Sequence, residues 1–470
     1  MKSISWIIAL GVSLTYIGCK KFVSVPPPVT SLVSASVYSN NATAASALTG
    51  IYITMAANNI GGGNYGISVL SGLAADELKL FPSSPDIVLN HSYTNALLSN
   101  DGSLLWNDLY KCIYQANTAI TGLSTSQGVT RSMSQQLIGE AKFVRAFCYF
   151  YLVNIYGDVP LVLSLDYKIN ATIPRSSKEE VYTQIIADLK DAQALLSDDY
   201  LTPTGMTTTS RVRPNKFAAT ALLARVYLYL QKWISAEEEA TIVINNPNYI
   251  LLTNLNEVFL TTSQEAIWQL EKPNSGFNTA DGATFLLSYL NNSGPTASFP
   301  ITLGDSLALG FESGDLRRSN WITSLDIGST TYYYPFKYKL NAGTPTTEYP
   351  VVLRIGEQYL IRAEAKAQQG NIVGAQSDLN IIRARAGLPR TPSNTQESLL
   401  SAIQKERQFE LFTEYGHRWL DLKRTGIIDS VMTIVCPQKG GTWQTTAKLF
   451  PIAFTEIQAD PNLTQNPGYQ

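Results

Sequence analysis

The run Phe217-Ala218-Ala219-Thr220-Ala221-Leu222-Leu223-Ala224-Arg225-Val226-Tyr227 and a later stretch around Ala363 carry one pattern twice. With Ala224 laid on Ala363, Ala236 falls on Ala375, Ala240 on Leu379 and Val243 on Ile382. Small residues at this spacing let the two helices of a tetratricopeptide pair approach closely, so the chain is predicted to stack helix pairs. Leu230-Gln231-Lys232-Trp233 and Gln369-Gly370-Asn371-Ile372 supply the turns. Apolar residues spaced three and four apart mark 42–55, 104–120, 137–155, 180–196, 357–386 and 399–412 as further helices. Between these, 58–100 and 245–350 are rich in Gly, Asn, Thr, Ser and Pro and hold no sustained helical period, which predicts ordered loops and short strands. Repeats alone would make a protein-binding solenoid; the long loop-rich insert argues for a ligand site beside it.

Residues 4–14 are uncharged and apolar, shorter than the ~20 residues of a spanning helix, and read as a signal peptide. They end at Tyr16-Ile17-Gly18-Cys19, which is similar to a bacterial lipobox, with Tyr16 where Leu is usual. Cys19 is therefore the expected lipidation site, and Pro26-Pro27-Pro28 stiffens a tether behind it. This divides the chain into a signal peptide at 1–18, a lipidated tether at 19–30 and a folded body at 31–470. Within the body, 41–57, 104–244 and 357–425 are helical, 58–100 and 245–350 loop-rich, and 426–470 a C-terminal segment. Cys112, Cys148 and Cys436 are expected as buried thiols, since their number is odd and sequence does not pair them.

Lys+Arg of 35 against Asp+Glu of 37 leaves no basic field for nucleic acid. Charged residues are only 15% of the chain, whereas 25 Tyr, 16 Phe and 7 Trp supply amphipathic surface, so the ligand is expected to be neutral. Two histidines, His91 and His417, disfavour a His-built metal site, and no metal or cofactor is expected.

Further signatures stand in order along the chain. They are Trp106-Asn107-Asp108-Leu109-Tyr110 leading to Asn117, Ala141-Lys142-Phe143-Val144-Arg145-Ala146, Tyr156-Gly157-Asp158-Val159-Pro160-Leu161 and Arg362-Ala363-Glu364-Ala365. Glu406-Arg407 with Glu410, Gly416-His417-Arg418-Trp419-Leu420-Asp421-Leu422-Lys423-Arg424, Leu449-Phe450-Pro451-Ile452 and Gln465-Asn466-Pro467-Gly468-Tyr469 complete them. In this order, behind a lipobox, the chain resembles the SusD/RagB family of outer-membrane nutrient-binding lipoproteins. The resemblance implies a mainly α, SusD-like fold with tetratricopeptide-like helix pairs and a loop-rich ligand-binding half containing short strands. It also implies a cell-surface lipoprotein of a Gram-negative outer membrane. Such a protein binds oligosaccharide or polysaccharide and acts as the lid of a SusC-like TonB-dependent transporter. A peptide-binding member of the same family and a secreted glycoside hydrolase are the alternatives.

The charges at Glu406, Arg407, Glu410, Arg418, Asp421, Lys423 and Arg424 are expected to pair along and beside the last long helix. The adjacent carboxylates Asp76-Glu77 and Asp198-Asp199 are poorly placed to straddle a glycosidic bond, and no nucleophile elbow or phosphate loop is present, so no catalytic residue is expected. Gly61-Gly62-Gly63 reads as a flexible loop. Sugar recognition needs aromatic faces and hydroxyl-bonding side chains. Tyr65, Tyr93, Asn95, Phe277, Tyr289 and Trp321 in the loop-rich segments are the candidate ligand contacts, with Tyr332, Tyr333 and Tyr334 as further aromatics there. The helix pairs at 217–244 and 357–386 are expected to face the transporter.

Overall fold

The computed structural model describes residues 34–82, 84–273, 276 and 278–469. Its principal helices are α1 (Asn41–Ala57), α2 (Ile67–Ala74), α3 (Ile87–Tyr93), α4 (Ser103–Thr125), α5 (Arg131–Tyr156), α6 (Lys178–Leu195) and α7 (Lys216–Tyr229). They continue with α8 (Trp233–Ile244), α9 (Ala280–Leu290), α10 (Ile355–Gln368), α11 (Ile372–Arg385), α12 (Gln396–Leu411), α13 (His417–Arg424) and α14 (Ile428–Gln438). Side-chain caps start several of them. Asn40 accepts from the Thr43 N–H, Asn215 from Ala218 and Asn371 from Gly374, while Ser177 and Glu180 form a reciprocal capping box.

The repeat read from the sequence is present in space. Ala224, Ala236, Ala240 and Val243, and their counterparts Ala363, Ala375, Leu379 and Ile382, are all fully buried. They lie where α7 packs on α8, α8 on α10, and α10 on α11. Even the turns correspond: Gln231 and Gly370, one repeat apart, both take left-handed backbone, at φ 57° and φ 78°. Glycine adopts this freely and glutamine does so at a cost. Helix α7 has no polar face, because α6, α8 and α10 enclose it.

The segments 58–100 and 245–350 contain more helix than their composition predicts. Every residue of α2 is buried, so the alternation that would have revealed the helix is missing. The strands used below are β1 (Leu78–Leu80), β2 (Tyr200–Leu201), β3 (Thr207–Thr208), β4 (Ala266–Gln269), β5 (Ile301–Leu303), β6 (Ile322–Ile327), β7 (Thr330–Pro335) and β8 (Val351–Arg354). They pair antiparallel as β1–β5, β2–β3, β4–β8 and β6–β7.

A buried ionic cluster joins the helical and loop-rich halves. Glu410 of α12 meets Arg354 at 2.5 Å, Arg317 at 3.1 Å and also Arg385, while Glu265 binds Arg354 at 2.8 Å and Arg385 at 2.9 Å. Burial alone would raise the Glu410 carboxyl, but the guanidinium groups of Arg385, Arg354 and Arg317 hold it well below the usual range. The expected pairing along the last long helix is therefore corrected. Arg407 reaches Asp421 at 2.7 Å, Arg418 reaches Asp76 at 2.7 Å and Arg424 reaches Glu364 at 2.6 Å, all between elements; only Asp421–Arg424 is a local pair. Cys112, Cys148 and Cys436 are free and buried. Among the described residues, no helix is long and apolar enough to cross a membrane. Cys19 lies outside them.

Candidate ligand-binding face

Helix α9 organises the face. The Gly63 N–H donates to Asp281 Oδ1 at 3.0 Å and the Thr284 hydroxyl to Asn64 Oδ1 at 3.1 Å, so the 61–66 loop is tied to the first turns of α9. This corrects the flexible-loop expectation. Gly62 has φ 110°, and a Cβ there would stand 2.4 Å from Asp281 Oδ1, so the close approach needs glycine. Burial raises the Asp281 carboxyl to about 6.

Tyr65 leaves this loop half-buried, with its hydroxyl donating to Asp86 Oδ2. Asp86 also caps α3, its Oδ1 accepting from the Leu89 N–H at 3.0 Å. The hydrogen bond to Asp86, with burial behind it, pushes the Tyr65 phenol up to about 12. Pairing of β1 with β5, extended by Phe81 N–H to Pro300 O at 2.7 Å, brings the chain leaving α9 back beside this cluster.

At the other end of α9, Tyr289 lies half-buried, its ring centre 5.9 Å from Tyr334 and 6.0 Å from Phe336. The β6–β7 register puts Tyr332 opposite Leu325 and Tyr334 opposite Thr323 on one face of the hairpin. Tyr334 is buried, and Tyr332 remains half-buried under the turn at Gly294, where a Cβ would lie 3.7 Å from its ring. Leu290 and Ile327 are exposed beside these rings, as are Asn291 and Asn292. The result is a set of partly open phenol rings at the two ends of one helix. Asp281, which holds the loop of Tyr65, and Tyr289 are about 12 Å apart along the helix by the 1.5 Å rise per residue.

The other candidates lie elsewhere. At the far end of α3, Asn95 donates to Ala74 O at 2.9 Å, and the Lys439 ammonium sits 5.3 Å from the Tyr93 ring centre. Lys439 itself donates to the carbonyls of Leu73, Ala74 and Ala75. Tyr93 and Asn95 thus help to close the C-terminal end of α2, where carbonyls lack helical partners. Trp321 is corrected outright: it is 0% exposed and its indole N–H is spent on Leu255 O at 2.9 Å, so it has no face for a ligand. Phe277 lies outside the described residues.

The adjacent carboxylates Asp76 and Glu77 are both engaged inside the fold. Glu77 is buried and raised to about 8 by burial and by neighbouring Asp76, which itself is paired with Arg418. His417 is buried and held well below 6.5, first by burial and then by surrounding cations. Among the described residues, no three His, Cys, Asp or Glu side chains gather as a metal site.

Comparison with known proteins agrees with this architecture. A family model described as starch-binding, associating with outer membrane (SusD-like), matches residues 41–228, and the SusD family model matches 283–469. SusD-like protein P2 of Formosa agariphila is 27% identical, with 97% of this chain and 98% of that protein covered. The starch-binding protein SusD of Bacteroides thetaiotaomicron is 23% identical, covering 74% of this chain and 75% of that protein. A solved laminarin-binding SusD-like protein superposes with a TM-score of 0.74 at 26% identity, covering 92% of this chain and all of its own, 100%. Two models lying in sequence on one chain, with relatives that align along most of it and a solved relative that superposes over most of it, make this chain a member of the SusD/RagB family.

Proposed function

We propose that the protein is a non-catalytic, surface-exposed lipoprotein that binds oligosaccharide or polysaccharide and delivers it to a SusC-like TonB-dependent transporter as its lid. The observation that carries the binding reading is the set of half-buried rings of Tyr65, Tyr289 and Tyr332, each fixed on an element tied to α9 or its flanks. Partly open phenol rings stack on the apolar side of a pyranose, and the exposed Asn291 and Asn292 amides beside them bond hydroxyls. The starch and laminarin named for relatives make neutral glucans the first probes to use.

A feature of the repeat supports the transporter side. Ile234 and Ile242 are 65% and 48% exposed on α8, and Val373 and Ile381, their repeat counterparts on α11, are 78% and 36% exposed. Equivalent positions of stacked repeats form one stripe, and exposed aliphatic side chains there suit a protein partner. Anchoring falls to Cys19. The binding reading is tested by calorimetric titration with maltoheptaose and laminarihexaose alongside an assay for new reducing ends. Heat of binding without cleavage is expected, and cleavage of the bound glycan returns the glycosidase reading. Ile234→Asp/Val373→Asp should lose co-purification with the transporter.

A further inference from the structure

A cavity lies away from α9, beside the β2–β3 hairpin and the 247–264 connection, with a volume of about 550 Å³. That is within the range of about 300–1,000 Å³ of small-molecule sites. None of the aromatic candidates from the sequence lines it. Its floor is set by Arg211, which is nearly buried and uses its guanidinium on the backbone carbonyls of Asn248 at 2.8 Å, Gln264 at 3.2 Å and Ala266. The same guanidinium stacks 5.1 Å from the Tyr249 ring and 5.5 Å from Tyr200. Through these three bonds it locks three stretches of chain around the cavity.

The side chains held on that frame have hydrogen-bonding capacity to give. Thr209, Ser210, Asn248, Thr262 and Gln264 line the cavity, are exposed, and their side chains make no hydrogen bond within the protein among the described residues. Tyr349 lines it with a half-buried ring, its hydroxyl fixed by donation to Glu271 at 3.0 Å. Ser210 and Thr208 also line an adjoining cavity of about 460 Å³, walled by Ile53, Leu201 and Pro203, so the two cavities meet across strand β3. Hydroxyls, amides and one oriented ring, with the exposed Asp199 carboxylate also on the wall to repel an anion, match an uncharged polyhydroxylated chain better than an anion or an apolar molecule.

We infer that this groove is a second subsite for a neutral oligosaccharide, separate from the face at α9. The inference rests on the glycan-binding reading. The test is hydrogen–deuterium exchange on the full chain with a panel of maltoheptaose, laminarihexaose, cellohexaose and xylohexaose, repeated on Ser210→Trp, Tyr349→Ala and Tyr289→Ala. Ser210 is exposed, so the tryptophan fills the groove without entering the core. With a binding probe, segments 199–211 and 246–264 should gain protection. Ser210→Trp should abolish that protection and Tyr349→Ala weaken its titration about tenfold, while Tyr289→Ala leaves it in place. Protection confined to 62–66 and 284–334, unchanged by Ser210→Trp, overturns the groove and keeps the α9 face. Protection of neither region by any member of the panel overturns both readings.

Discussion

The ammonium of Lys337 stands 4.8 Å from the centre of the Trp321 ring, in the interior of the protein. It donates to Glu410 O at 2.9 Å and Phe412 O at 2.8 Å and pairs with the Glu414 carboxylate. Arg385 and Arg354 approach the same ring, at 5.4 and 5.8 Å. Trp321 therefore walls a buried ionic cluster, and cation–π attraction is strongest when such a cation is desolvated.

Trp321→Ala should consequently act on stability. Removing a fully buried tryptophan costs about 3–5 kcal/mol, and urea denaturation should read a loss of that size. Glycan affinity of the fraction that remains folded should match the parent. A variant as stable as the parent would remove Trp321 from the core.

Glu77 predicts a pH dependence of a definite sign. Burial raises its carboxyl to about 8 in the folded protein, against 4.5 in an unperturbed chain. Between those values the folded state holds a proton that the unfolded state has released, so this group's contribution to stability declines as pH rises through the window. Above pH 8 the full cost of a buried carboxylate is present. Among the described residues its Oε1 has no hydrogen-bond partner, which leaves that charge poorly compensated. Glu77→Gln should match the parent in melting temperature near pH 4 and exceed it near pH 9. A difference that stays constant with pH contradicts this.

The Arg225–Glu357 pair, 2.6 Å apart and almost fully buried, joins α7 to α10. Arg225→Met removes the guanidinium that faces the buried Glu357 carboxyl, and breaking such a pair costs about 3–5 kcal/mol. Arg225→Met/Glu357→Leu should recover much of the loss in denaturant titrations. Equal losses in the single and double variants would mean that packing, rather than charge, sets the cost.

What the sequence revealed follows from which signals are local. The α7–α8 and α10–α11 pairs were legible because Ala224, Ala236, Ala363 and Ala375 meet neighbouring helices at a fixed spacing, and spacing is a local property. Helix α2 was hidden by burial on every side, which erases the periodicity of an amphipathic helix. Trp321 follows the polar run Arg317-Arg318-Ser319-Asn320, and its burial depends on Lys337, Arg354 and Arg385 arriving from other elements. Tyr332, Tyr333 and Tyr334 stand in succession with no alternation to read, and which ring is covered depends on Tyr289 of α9 and on the turn at Gly294. Arg211 gave no signal, since its role lies in backbone carbonyls that only the fold assembles.

Membrane attachment makes a separate prediction. Cys19→Ala should release the protein from the membrane fraction of cells lacking the transporter, by fractionation and immunoblotting. Retention of that variant after signal cleavage contradicts lipidation at Cys19.

The most direct test of the account is the affinity of Tyr289→Ala, by isothermal titration, for the glycan that the parent protein binds. Stacking on one ring is worth about 1–3 kcal/mol by analogy with base–aromatic platforms, so the affinity of the folded variant should fall about tenfold or more. Parent-like affinity in Tyr289→Ala, Tyr65→Ala and Tyr332→Ala alike, all folded, would contradict the placement of the ligand face at α9.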